Sequence, residues 1–282
     1  MPRPLDRPRL RPLRLTVLPA LVAFLAGCVA PPPRDAHVPD FARRPYEPFN
    51  RTAAVAIALR EWRLFGSPVV DAAPDERPPV DPEAKPERLP GLWQRVGEYW
   101  WLGLDANDPD GRWTGKHDGT GRVFPASEDG EYAWSAAFIS YVMRIAGAGP
   151  RFPYAASHWI YIDAARAASL GRRPDVALRA EAADRVAPEP GDLICFGRGH
   201  DNSAMAGDIR LETLPDGPFA GHCAIVVDAA PGMLSVVGGN VADEVALTHV
   251  PVTAAGMLAA PGGPAIDPRY PWSIVLRVLY DH

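Results

Sequence analysis

The chain has 282 residues, of which 47% are hydrophobic and 22% charged, and its formal net charge is −5. This length and hydrophobic content suffice for one sizeable core. The acidic balance argues against nucleic acid and anionic membrane surfaces as partners.

The first 28 residues predict a secretion signal. Five arginines precede a 13-residue apolar stretch, residues 15–27. This stretch is shorter than the about 20 residues that span a bilayer, and it has the length of a signal-peptide core. Its end, Leu25-Ala26-Gly27-Cys28, resembles the bacterial lipobox, in which the cysteine is diacylated and becomes the new N-terminus. An ordinary cleaved signal with a chance cysteine is the alternative. Removal of residues 1–27, which carry a net +4, leaves a charge of −9.

A lipid on Cys28 predicts a location in the cell envelope, because two or more acyl chains anchor a protein stably to a membrane. Residue 29 is Val rather than Asp, which by the sorting rule of Gram-negative lipoproteins indicates the outer membrane. Residues 28–48 hold six prolines and are expected to form a semi-extended tether. The globular part would then face the periplasm.

Residues 49–282 are expected to form one domain with a helical part followed by a strand-rich part. Apolar spacing predicts four helices, over residues 50–65, 91–104, 134–145 and 157–171. The helical N-terminal part, 49–104, includes a Pro-rich stretch, 74–90, which is expected to be a surface loop. Five β-rich runs lie within the core, 105–282, over residues 191–197, 222–230, 234–240, 244–252 and 272–279. This order predicts an α+β fold with N-terminal helices packed on an antiparallel sheet of about five strands.

Two stretches could suggest a sugar-binding site and a calcium site, but each has a simpler structural interpretation. The tryptophans of helix 91–104 are either a sugar-stacking platform or part of the core. The Gly/Asp-rich stretch 105–121 does not fit an EF-type calcium loop, because the first and twelfth ligand positions hold Ala106 and His117. No metal or cofactor is expected.

Three residues in chain order predict a catalytic site: Ser135 at a helix start, His222 opening a strand and Asn240 ending the next strand. The unpaired N–H groups at a helix N-terminus can hold an oxyanion. A histidine on a facing strand can take the nucleophile's proton, and a polar residue can orient its ring. Ser135 Oγ is therefore expected within about 3.5 Å of a His222 nitrogen, with Asn240 near the other nitrogen.

The motifs around these residues resemble the papain-like amidase superfamily of CHAP and NlpC-type cell-wall hydrolases. They are Ser135 with Phe138 three residues later, "PGDLI" from Pro190, "HCAIVV" from His222 and "VVGGN" ending at Asn240. The resemblance implies a papain-like fold and a Ser-His-Asn site, with serine in place of the superfamily's cysteine. With "WSAAFISYV" and "SHWIYI", the same motifs also resemble a bacterial family known only as a domain of unknown function, over about residues 50–280.

The serine lowers the expected activity, because a hydroxyl has no thiolate fraction and depends wholly on its base. Ser135 as a plain N-cap, His222 as a strand-edge histidine and Asn240 as a turn residue are the structural alternatives. The remaining cysteines, Cys195 and Cys223, are either core residues or a disulfide. Four further residues are predicted to contact substrate: Glu131, Trp134, His158 and Arg198.

The leading functional hypothesis is a lipid-anchored envelope hydrolase that acts on amide or peptide bonds of the cell wall. Its partners would be the membrane, through Cys28, and peptidoglycan or its peptides. One alternative is an acyltransferase on the same site. Another is a catalytically inactive papain-like lipoprotein that recognises cell-wall fragments, and a third is a structural envelope protein with a tryptophan-rich partner surface.

Overall fold

The computed structural model describes residues 48–198 and 209–281. The predicted signal peptide, Cys28 and the tether up to residue 47 lie outside the described residues. Among the helices of the two described ranges, none has both the length and the apolar character needed to cross a membrane.

The described ranges contain four α-helices, and these form where the apolar spacing predicts them. They are α1 (Arg51–Leu64), α2 (Leu92–Gly103), α3 (Ser135–Ile145) and α4 (His158–Ser169). Every residue of α3 from Ser135 to Met143 is buried, as its almost continuous apolar surface predicts. Gly103 lets α2 approach α3 closely, because a Cβ there would lie 2.5 Å from Ala137 O. The close packing of α2 on α3 holds the N-terminal part of α3 inside the domain.

The Pro-rich stretch 74–90 is a surface loop only in part. It contains three short 3-10 helices, Pro74–Glu76, Pro82–Ala84 and Pro86–Arg88. The last of these carries two buried charged residues, Glu87 and Arg88. Arg88 donates hydrogen bonds to Asp129 Oδ1 at 3.0 Å and to Phe124 O at 2.8 Å. The expectation of a surface loop is therefore wrong for this end of the stretch, because partners distant in sequence satisfy the buried charge.

A six-stranded antiparallel sheet follows the helices. Its strands are β1 (Leu178–Ala182), β2 (Leu193–Gly197), β3 (Gly221–Ala230), β4 (Met233–Val241), β5 (Glu244–Pro251) and β6 (Ile274–Val278). Their order across the sheet is β1-β6-β2-β3-β4-β5, and each neighbouring pair is antiparallel. The α+β class is confirmed.

The expected number of about five strands is too low by one, because β1 has no strong β signal in the sequence. Its residues, "LRAEA", favour helices by intrinsic propensity. Pairing with β6 overrides that preference, and alternate residues of β1 are buried. Tertiary packing therefore decides this element.

The two faces of the central strands pack into separate clusters of buried side chains, as the alternation of a strand requires. Cys195 and Cys223 lie in the cluster that contains the helices. Phe196, Ala224 and Trp272 lie in the cluster on the opposite face. Cys195 and Cys223 are directly paired across β2 and β3, and they form a disulfide. Of the two possibilities for these cysteines, the structure therefore contains the disulfide.

The tryptophans of α2 do not form one surface. Trp100 is 1% exposed and packs against Trp113, whereas the neighbouring Trp101 is 69% exposed. Trp100 therefore belongs to the core. A single exposed indole such as Trp101 is an ordinary surface feature.

Candidate functional site

The hydroxyl of Ser135 bonds a histidine at the start of α3. Trp134 occupies the N-cap position and makes no side-chain capping bond, so Ser135 is not the N-cap. Ser135 Oγ lies 2.7 Å from His158 Nε2. Because these two residues begin α3 and α4, the N-termini of the two helices meet at this hydrogen bond.

A tyrosine one turn along α4 extends the chain of hydrogen bonds. Residues three apart lie on one helix face, and the hydroxyl of Tyr161 lies 2.5 Å from His158 Nδ1. His158 and Tyr161 are buried, and Ser135 is 9% exposed. The sequence predicts His158 as a substrate contact and assigns no role to Tyr161. The His-x-x-Tyr spacing within "SHWIYI" is the signal that could have found it.

His222, which the motifs predict beside Ser135, lies on the other face of the sheet. Cys223 faces the helices, so the preceding side chain on β3 points the other way. The ring of His222 accordingly packs near Phe196 and Trp272, with centroids 5.7 Å and 6.3 Å away. Among the described residues, His222 and Ser135 share no hydrogen bond. The alternation of the strand, which the motif does not reveal, therefore separates them.

The predicted hydrogen bond between His222 and Asn240 is also absent among the described residues. Both residues line one cavity, but within the described residues they form no hydrogen bond, and His222 Nδ1 is buried without a partner. Asn240 has a positive φ of 55° at an irregularity in the pairing of β4 with β5. The ring of His222 lies 5.3 Å from the ring of His158. His222 therefore stands between the cavity and the Ser135–His158 pair.

Burial disfavours the charged form of both histidines. Burial lowers the pKa of His158 to about 3, and the positive charge of Arg198 adds to the shift. Burial also lowers the pKa of His222 well below its ordinary value, with further repulsion from His158, Arg198 and Arg77. In the described part of the chain, neither imidazole has a hydrogen-bonded carboxylate to stabilise its protonated form.

Tyr161 influences which nitrogen of His158 carries the proton. If Tyr161 donates to Nδ1, then His158 Nε2 carries the hydrogen and donates to Ser135. If Nδ1 carries the hydrogen, it donates to Tyr161, and Ser135 donates to Nε2. Each arrangement leaves one hydroxyl hydrogen without an acceptor among the described residues, that of Ser135 in the first and that of Tyr161 in the second. A base role for His158 requires the second.

A cavity of about 180 Å³ opens on the face of the sheet that carries His222. Among the described residues, its polar lining consists of Arg77, Arg198, His222, Asn240, Thr248 and Tyr270, and Phe196 and Trp272 are among its apolar walls. Ser135 and His158 are not part of this lining. Over the described residues, no group of three or more His, Cys, Asp or Glu side chains could hold a metal ion.

The residues predicted to contact substrate are distributed over different environments. Arg198 lines the cavity and His158 bonds Ser135. Trp134 is fully buried and donates from Nε1 to Glu87 Oε2 at 2.5 Å, so it has no surface for a substrate. Glu131 is exposed and lies outside the cavity lining.

The stability of the protein should depend on pH through Glu87, the residue whose carboxyl accepts the hydrogen bond from Trp134. Burial raises the pKa of Glu87 to about 8; the Trp134 hydrogen bond opposes the shift, and the charges of Asp243 and Asp129 add to it. A carboxyl with a raised folded pKa binds its proton more tightly when folded. The free energy of unfolding therefore falls as the pH rises from about 4.3, the ordinary value for Glu, to about 8.

We expect Glu87→Gln to stabilise the protein at pH 8 by about 1 kcal/mol or more relative to its effect at pH 5. The amide keeps an acceptor for Trp134 and removes the charge. Urea unfolding of wild type and variant at the two pH values measures the difference. An equal effect at both values would contradict the assignment of a protonated Glu87.

Comparison of the chain with known proteins identifies the family to which it belongs, but it finds no similar individual protein. No curated protein and no solved structure matches the chain. A family model described as an uncharacterized protein conserved in bacteria, DUF2272, matches residues 87–278 of the 282. The matched range contains Ser135, His158 and all six strands of the sheet. The predicted likeness to a bacterial family of unknown function is confirmed, and the chain belongs to the DUF2272 family.

Proposed function

We propose that this protein is a cell-envelope hydrolase that cleaves amide or peptide bonds through Ser135 and His158. The observation that carries the proposal is the 2.7 Å hydrogen bond from Ser135 Oγ to His158 Nε2 at the start of α3. His158 thus takes the role that the motifs predict for His222. A papain-like architecture belongs to the same proposal, supported by the packing of α3 against β3 and β4 of an antiparallel sheet. A lipid anchor on Cys28 would hold the domain beside peptidoglycan, whose peptides are the proposed substrates.

The proposed reaction is an acyl transfer through an ester on Ser135. Ser135 Oγ attacks the substrate carbonyl carbon while its proton passes to His158 Nε2. The carbonyl oxygen takes up the electron pair and is stabilised by the unpaired N–H groups in the first turn of α3. The intermediate collapses, and the amine leaves with the proton from His158. A water molecule then attacks the ester, with His158 again as the base, and releases the carboxylic acid.

The environment of His158 makes slow turnover the expected behaviour. Burial disfavours the imidazolium that each step creates. Nε2 can also accept from Ser135 only in the tautomer in which Nδ1 carries the hydrogen and donates to Tyr161. Both features reduce the population of the reactive arrangement without displacing the nucleophile.

The second candidate is a binding lipoprotein that recognises cell-wall fragments without hydrolysis. One observation favours it: the cavity beside His222 is lined by two arginines, Arg77 and Arg198, and excludes Ser135. A protein that binds through this cavity alone has no need of a reactive serine.

Digestion of peptidoglycan separates the two candidates. Detergent-solubilised full-length protein is incubated with purified peptidoglycan and soluble peptidoglycan peptides, and the products are followed by mass spectrometry. The hydrolase proposal expects new amine and carboxyl termini with wild type and none with Ser135→Ala. Binding of the peptides by wild type and Ser135→Ala alike, without product from either, would overturn it in favour of the binding protein.

A further inference from the structure

The cavity on the sheet is lined by two arginines and, among the described residues, by no carboxylate. Within the described residues, neither Arg77 nor Arg198 forms an ion pair, and Arg77 donates its hydrogen bonds to Ala72 O and the Tyr270 hydroxyl. The carboxyl of Glu244 interacts electrostatically with Arg77: burial raises the pKa of Glu244 to about 7, the charge of Asp243 adds to the shift, and the charge of Arg77 opposes it. It forms no ion pair with either arginine in this part of the chain.

Partly buried cations without counter-ions favour an anionic ligand. Burial lowers the pKa of the Arg198 guanidinium, and the neighbouring charge of Arg77 adds to that shift. Removing a charged group from water is costly unless an opposite charge is supplied. An anion in the cavity would supply it. A guanidinium also presents paired N–H donors that match the two oxygens of a carboxylate.

The cavity also presents an unused hydrogen-bonding edge. His222 is 5% exposed and lines the cavity, and its buried Nδ1 has no hydrogen-bond partner among the described residues. A Cβ on Gly238 would come within 3.0 Å of His222 Nε2. The glycine therefore keeps space open beside the other ring nitrogen. A buried polar atom without a partner in a native structure indicates an interaction that a ligand can complete.

The size and walls of the cavity limit the ligand further. An apolar cavity of about 150 Å³ holds a molecule the size of benzene, and this one measures about 180 Å³. Phe196 and Trp272 supply apolar wall on one side. A charged group on a small apolar body fits this combination.

We propose that this cavity binds the free carboxylate of a short peptide, with Arg77 and Arg198 holding the carboxylate, His222 completing a hydrogen bond, and Phe196 and Trp272 packing against the terminal side chain. The inference names the ligand class of the proposed function and rests on that function only for the origin of the peptide in the cell wall. Binding itself does not require Ser135.

Calorimetric titration with matched small ligands tests the proposal. The probes are N-acetylalanine, its C-terminal carboxamide and methyl phosphate, titrated into the detergent-solubilised full-length protein. We expect wild type to bind the carboxylate about 30-fold or more tightly than the carboxamide, since the carboxamide lacks the charge that the arginines meet. Equal affinities, no binding of the carboxylate at millimolar concentration, or tighter binding of methyl phosphate would each overturn the proposal.

Variants of the lining residues test whether binding takes place in this cavity. Arg198→Gln and Arg77→Gln are each expected to weaken carboxylate binding about 30-fold or more. Ser135→Ala is expected to leave the affinity unchanged, so failure of the hydrolase proposal and failure of this one give different results. Thermal unfolding checks that each variant is folded, and Arg198→Lys, which keeps the charge, should retain part of the affinity. Unchanged affinity in both glutamine variants would overturn the site.

Discussion

Substitution of His158 by Gln is expected to lower the rate at which a fluorophosphonate labels Ser135 by about 100-fold or more. The amide side chain still reaches Ser135 by hydrogen bonding, but it cannot take the proton that Ser135 loses on attack. His158 Nε2 is the only basic atom hydrogen-bonded to Ser135 Oγ among the described residues. The labelling rate is measured by intact-protein mass spectrometry at several probe concentrations.

The matched control is His222→Gln, which removes the histidine that the motifs predict as the base. Because His222 shares no hydrogen bond with Ser135 in the described part of the chain, we expect its substitution to lower the rate less than about tenfold. A larger loss in His222→Gln than in His158→Gln would return the base role to the strand histidine. Ser135→Cys is a second test of the nucleophile position. The introduced thiol should react with iodoacetamide, and the reaction should be slower in the double variant that also carries His158→Gln.

Substitution of Glu61 by Gln is expected to lower the free energy of unfolding at pH 7 by about 3 kcal/mol, because it breaks a buried ion pair and, among the described residues, leaves Arg95 with only the exposed Glu98 as a counter-charge. Glu61 is fully buried in α1. Its two carboxylate oxygens accept from Arg95 Nε and Nη2 at 2.6 Å each, and Tyr99 donates to it at 2.8 Å. Tyr141 of α3 donates to the same carboxylate at 3.3 Å. This carboxylate therefore joins α1 and α2 to the helix that begins with Ser135.

The pH dependence of this effect has a defined sign. Burial alone would raise the pKa of Glu61, but hydrogen bonds from Arg95, Arg60 and Tyr99 outweigh it and hold the pKa below its ordinary value. The stabilisation is therefore fully present above the unfolded pKa of about 4.3 and is lost as the pH falls through the folded value. The difference between wild type and Glu61→Gln should shrink on acidification.

Glu98→Gln is the control for this measurement, since the side chain of Glu98 also pairs with Arg95 but is 44% exposed. We expect it to change the free energy of unfolding by less than about 1 kcal/mol. Urea unfolding of the three proteins gives the comparison. Equal losses in the two variants would show that burial of Glu61 does not set the strength of this network.

Apolar periodicity suffices to predict most of this fold. The four helices and β2 to β6 lie within two residues of their expected bounds, because each carries a run of apolar residues that matches its own period. β1 escapes prediction, since its Arg, Glu and Ala residues favour a helix and only pairing with β6 makes it a strand. The burial of Glu87 and Arg88 was not predicted for a similar reason, because their partners are far away in sequence.

The sequence predicts most residues of the candidate site but not which of them contact one another. Motifs place Ser135 at a helix start, and the structure has it there. The side-chain direction of His222 depends on which face of β3 packs on the helices, and a shift of one residue reverses that choice. Cys223, which forms the disulfide on the helix side, sets the orientation. Arg77 comes from the Pro-rich stretch, where no periodicity indicates that a side chain reaches a cavity.

Peptide mapping of fluorophosphonate-treated wild-type protein tests most directly the central claim that Ser135 is an activated nucleophile. The folded, full-length protein is labelled, digested and analysed by mass spectrometry alongside Ser135→Ala. We predict one adduct, located on Ser135 in the wild type and absent from the variant. A folded wild-type protein that remains unmodified, or an adduct on another residue that persists in Ser135→Ala, would contradict the account.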